Sequence, residues 1–104
     1  MKTTKEKIGF AAVDSGQLLV CDPCYIDGQW EKEEFSDKPP QNNFSYNSCC
    51  KKTLSKEGAG QLNFKLGHEG CGVVFSSGYG DGCYPVYAEK NKEGRIIRVT
   101  IEMG

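Results

Sequence analysis

The chain has 104 residues, 38% of them hydrophobic, with 13 glycines and a net charge of −1 from 13 basic and 14 acidic side chains. That length supports one core, so residues 1–104 read as a single β-rich domain, and the interspersed signs leave no basic field for bulk nucleic-acid binding. No apolar run approaches the about 20 residues that cross a bilayer, and the charged start Met1-Lys2-Thr3-Thr4-Lys5 lacks the apolar stretch of an export signal, so no membrane role and a cytoplasmic setting are expected.

Ile8 to Val13 reads as a strand that ends at Asp14-Ser15-Gly16, a turn signal, and Gln17 to Cys21 reads as the second arm of a β-hairpin. Asp22-Pro23 stops that arm, because proline cannot donate to a ladder. Gln29 to Phe35 is the best helical candidate, with Asp27 as its N-cap and Glu34 and Lys38 at i, i+4 spacing. Residues 36–61 are the least organised stretch, with a short strand expected through Phe44 to Cys50; so long an excursion in a small domain is either mobile or functional. Leu62, Phe64 and Leu66 alternate with polar neighbours, and Gly72 to Ser76 forms a further strand. Tyr84 to Glu89, the turn Asn91-Lys92-Glu93-Gly94 and Arg95 to Glu102 make a closing hairpin. The expected fold is mainly β, a small antiparallel sandwich or partly open barrel with one short helix.

Six cysteines admit three readings. A disulfide framework conflicts with a reducing compartment. A Cys₃His zinc site is suggested by the spacing of Cys21 with Cys24 and of His68 with Cys71, with Cys49 and Cys50 as spare ligands. The third reading, which the sequence favours, treats most of them as small reduced hydrophobes, with Cys21 and Cys83 pointing into the core. A redox Cys-x-x-Cys requires a helix N-terminus to lower the thiol pKa, and no helical pattern follows Cys24.

Ser77-Gly78-Tyr79-Gly80-Asp81-Gly82 is the most site-like segment, since alternating glycines let a backbone approach a ligand. Asp14, Asp22 and Asp81 stand at strand ends beside turn residues, where they bond their own turns or gather at a ligand. His68 is the sole histidine and reads as solvated. The tyrosines and Trp30 offer flat faces, although aromatics in small β domains mostly pack the core.

Two stretches carry a resemblance. Val13-Asp14-Ser15-Gly16-Gln17-Leu18-Leu19-Val20 with Asp22-Pro23-Cys24-Tyr25-Ile26 is one, and Gly80-Asp81-Gly82-Cys83-Tyr84-Pro85-Val86-Tyr87-Ala88-Glu89 with the strand after it is the other. Together they resemble a family of small proteins of unknown function from bacteria, archaea and phages, over about half of the chain and at both ends. The resemblance implies no activity, but it implies that the two motifs belong together as neighbouring turns.

The expected function is a non-enzymatic binding module for a small polar ligand, a nucleotide among the candidates, or for a protein partner, in a phage or defence setting. Asp14, Asp22, Tyr25, Gly80, Asp81 and Tyr84 are its expected site. Two alternatives stay open: a small hydrolase or lyase with Asp22 and Asp81 as acid and base, and a structural zinc domain on Cys21, Cys24, His68 and Cys71. No other cofactor is expected.

Overall fold

The computed structural model describes residues 4–104. In chain order these form β1 (Thr4–Val13), β2 (Gln17–Cys21), α1 (Pro23–Gly28), α2 (Tyr46–Thr53), β3 (Ala59–Leu62), β4 (Gly72–Ser76), β5 (Gly82–Lys90) and β6 (Ile96–Ile101). The strands make two three-stranded antiparallel sheets, ordered β1-β5-β6 and β2-β4-β3, with no closed barrel among the described residues. The mainly β expectation therefore stands. No described helix is long and apolar enough to cross a membrane.

The chain divides into two compact units. One joins the described residues up to Gly16 with Ser77–Gly104, and the other is the continuous stretch Gln17–Ser76.

In the first unit β5 is the central strand. β1 pairs with it from Thr4 opposite Lys90 to Val13 opposite Gly82, with an extra residue, Ile8, bulged between Lys7 and Gly9. The β5–β6 arm is the closing hairpin expected from the sequence. Its turn is fastened by the Asn91 carboxamide, whose Oδ1 accepts the N–H groups of Glu93 and Arg95, each at 3.0 Å. Pro85 lies in the central strand at a position where the only β6-side neighbour is Glu102, past the end of that strand. There the missing proline donor removes a single terminal bond instead of breaking the ladder. One face carries Lys5 over the Tyr87 ring at 5.2 Å and Lys7 over Phe10 at 4.7 Å. Ala88 on the other face is fully buried.

In the second unit β4 is central. Leu19 lies opposite Val74, and Cys21 lies opposite Gly72. Their shared face builds the core with Phe44, Cys49, Leu62 and Cys71, while Tyr25, Trp30 and Phe64 pack around it. Burying Leu62 and Val74, each about 1% exposed, contributes about 1.5–3 kcal/mol apiece. Helix α2 closes over this face so tightly that a Cβ at Gly60 would meet the Lys52 side chain at 2.7 Å. Thr53 Oγ1 donates to Gln17 Oε1 at 2.9 Å, which ties the helix to β2.

Four local expectations are corrected. Residues 29–35 are not helical; Pro23, at the first helical position, starts α1 instead, with Asp22 rather than Asp27 as the cap. The strand expected at Phe44–Cys50 is helix α2, capped by Ser45, which is fully buried and accepts the Ser48 N–H at 3.2 Å. The expected β1–β2 hairpin does not form, because each strand pairs into a different sheet. Phe64 and Leu66 also fall beyond the end of β3, in a turn closed by the Gly67 N–H on the Phe64 carbonyl at 2.8 Å.

Candidate functional site

Four of the expected site residues lie in the first unit. Gly16, at φ +70°, ends the Asp14-Ser15-Gly16 turn in the left-handed region. Its N–H donates to Asp81 Oδ1 at 2.9 Å, and its carbonyl accepts the Ser77 N–H at 2.9 Å. The Gly80 carbonyl accepts two hydroxyls, from Ser77 Oγ at 2.6 Å and Tyr84 Oη at 2.7 Å. Asp81, Gly80 and Tyr84 thus come together beside the Asp14 turn, and their polar atoms are used to stitch one loop to another. Asp14 itself is exposed.

Asp22 and Tyr25 belong to the second unit. The Asp22 carboxylate caps α1 by accepting the Cys24 N–H at 3.0 Å. Tyr25 stands edge-on to Phe64, with ring centroids 5.0 Å apart. An acid–base pair of Asp22 and Asp81 would thus draw on two carboxylates that already serve as main-chain acceptors.

The cysteines divide by burial. Cys49, Cys50 and Cys71 are buried, Cys21 is half-buried against the core, and Cys24 and Cys83 are exposed. Cys83 therefore does not point into the core as expected; it lies near the start of β5, where its side chain is left to solvent. Burial pushes the Cys49 thiol up to about 11, with Cys50 beside it adding to the effect. Cys24 does lie in the first turn of a helix, contrary to the sequence reading, but its thiol is raised, first by its hydrogen bond to Asp22. That is the opposite of what a redox thiol needs. Among the described residues no group of three or more His, Cys, Asp or Glu side chains is placed to hold a metal. His68 is exposed and stacks on Phe64 at 4.7 Å, so the Cys21, Cys24, His68 and Cys71 zinc set is not assembled.

Sequence reasoning missed a cavity of about 160 Å³ in the second unit, lined by Gln29, Glu31, Gln41, Asn42, Asn43, Phe44 and Lys65. Four of its seven lining residues, Gln41 to Phe44, come from the stretch that read as unorganised. Glu33 is the organiser: its carboxylate accepts the N–H groups of Gln41 and Asn42 at 2.9–3.1 Å, and the carboxamides of Asn42 at 3.0 Å and Asn47 at 2.7 Å. These bonds, the one from Asn47 foremost, hold the Glu33 carboxyl below its ordinary value. Glu31 bonds in parallel to Ser45, and its N–H donates to the Phe44 carbonyl at 2.9 Å. Trp30 meets Phe44 edge-on at 5.0 Å. Glu31 pairs with Lys65 at 2.6 Å, so the one acid and one base of the lining cancel. Gln29 Oε1 is buried and accepts no hydrogen bond from the described residues.

Side chains alternate from Gln29 to Lys32. Gln29 and Glu31 line this cavity, while Trp30, Lys32, Glu33 and Glu34 line an open cleft of about 280 Å³ with Tyr46. The available signal was compositional: Gln41-Asn42-Asn43 before an aromatic residue, inside a long excursion.

A mainly β chain with a polar, amide-lined cavity defines a class by architecture alone. Residues 12–101 match the family described as protein of unknown function (DUF4241), and the chain belongs to that family. The match runs through the middle of the chain as well as both ends, so it is wider than the two motifs suggested. No curated protein and no solved structure matches the chain.

Proposed function

We propose that the chain is a non-enzymatic binding module that holds a small, neutral, polar molecule in the Gln29 cavity. The observation that carries this reading is the lining of that cavity, where the carboxamides of Gln29, Gln41, Asn42 and Asn43 surround about 160 Å³. Carboxamides offer both donors and acceptors to a bound molecule. Four carboxamides and a self-neutralising Glu31–Lys65 pair favour an uncharged ligand rich in hydrogen-bonding groups, such as a polyol or a small amide. The cavity is smaller than the about 300–1,000 Å³ sites that enclose drug-sized molecules. A sugar- or amide-sized compound therefore fits this reading better than a whole nucleotide.

The test is a ¹⁵N-correlation titration with a panel of small sugars, polyols and amides, on wild type and on Gln29→Leu. Saturable shifts confined to residues 29–31 and 41–44 and absent in Gln29→Leu are expected. The substitution also removes the orphaned acceptor, so the variant is expected to be at least as stable as wild type. Shifts that persist in Gln29→Leu, or no shifts with any member of the panel, would overturn the reading.

A further inference from the structure

The sheet of the first unit ends at β1 on one side and at β6 on the other. The two edges are defended differently. β1 carries the Ile8 bulge together with Lys5 and Lys7, devices that discourage a further strand from adding. β6 carries no lysine and no proline, and its Ile96, Ile97 and Val99 are 56%, 45% and 53% exposed.

The direction of its main-chain groups follows from the ladder. The Glu102 N–H donates to the Pro85 carbonyl at 3.0 Å, and Thr100 and Arg98 lie opposite Tyr87 and Glu89. Main-chain groups alternate sides along an antiparallel strand. Thr100 and Arg98 therefore also bond toward β5, and the N–H and C=O groups of Val99 and Ile101 point off the open edge.

We infer that two copies of this chain associate by antiparallel pairing of β6 with β6 about a twofold axis at Thr100, extending the three-stranded sheet into a second copy. In that register the outward N–H and C=O groups of Val99 meet those of Ile101 in the second copy. Arg98 stands directly opposite Glu102 of the second copy, an attractive pair repeated by the symmetry. Arg98 Nη1 already lies 3.1 Å from Glu89 Oε2, and a guanidinium has further donors for a second carboxylate. A twofold at Arg98 would oppose like charges, and one at Val99 would set Arg98 against Thr100. Charge complementarity thus selects both the occupant and the register.

The experiment is sedimentation equilibrium of the full chain over a concentration series, with three variants. Wild type is expected to reach twice the chain mass of 11.5 kDa. Val99→Pro removes one outward donor without touching a β5 bond, and is expected to sediment as a monomer with an unchanged circular dichroism spectrum. Arg98→Glu and Glu102→Lys each oppose like charges across the twofold, and each alone is expected to be monomeric. Mixed in equal amounts they restore opposite charges at both positions, and the double mass returns. Wild type that stays at 11.5 kDa overturns the inference. So does a dimer that survives Glu102→Lys, or a mixture that remains monomeric. The paired charge variants keep the test decisive if Val99→Pro fails to fold.

Discussion

Asp81 spends its Oδ1 on the Gly16 N–H, the bond that fastens the turn after β1 to the loop before β5. Removing the carboxylate in Asp81→Ala leaves that donor to water and is expected to lower stability by about 1–2 kcal/mol in urea titration. Asp81→Asn keeps an acceptor oxygen and should cost much less; equal losses would mean that charge rather than geometry matters there. The meeting of Gly80, Asp81 and Tyr84 was legible from the sequence, since glycine-spaced turn residues between strands fold back on themselves. Gln29 was not legible. Nothing in its neighbours along the chain shows that it faces a cavity, because most of the other walls come from residues 41–44 and Lys65.

Two of the misread elements carried competing signals. Phe44 and Tyr46 alternate as a strand would, but Ser45 is a capable N-cap, and Cys49, Cys50 and Thr53 follow it at helical spacing. Ser45→Ala should therefore cost about 1 kcal/mol or more, since the hydroxyl both accepts the Ser48 N–H and donates to the Asn42 carbonyl at 2.9 Å. Thermal denaturation reads this directly. The β1–β2 hairpin failed because Gly16 gives its N–H and its carbonyl to the 77–82 loop, so the chain changes sheets at the turn. The Gln41–Asn47 wall depends on Glu33, whose folded pKa is lowered by the carboxamide and main-chain donors around it. Its stabilisation is complete above the unfolded carboxyl value of about 4.3 and is lost as pH falls through the lower folded value. Melting temperature should thus drop on acidification below about pH 5, and Glu33→Gln should be less stable at neutral pH with a flatter acid limb. An unchanged acid limb in that variant would place the titration elsewhere.

Across the whole molecule, the cysteines report folding. Cys24 and Cys83 are exposed and should react with a thiol reagent in the native state, whereas Cys49 and Cys71 are held within the core of the Gln17–Ser76 unit. Burial also suppresses the Cys49 thiolate. In a denaturant series, labelling of Cys49 and Cys71 should rise together at the midpoint of that unit's unfolding, read by peptide mass spectrometry. Reaction of Cys49 at the native rate of Cys24 would mean that α2 does not stay docked.

The division of the chain also sets an order of events during synthesis. The Gln17–Ser76 unit is continuous, so every strand and helix it needs has left the ribosome once residue 76 emerges. β1 has no such advantage: it is made before β2–β6, yet among the described residues its only ladder partner is β5, and the turn that follows it bonds to a residue 65 positions later. Closing so long a loop is slow, and contacts of high sequence separation form late. The nascent chain therefore carries β1, with Ile8 and Phe10, as an unpaired strand until β5 has been made, and a chain halted before residue 82 would present that strand to chaperones.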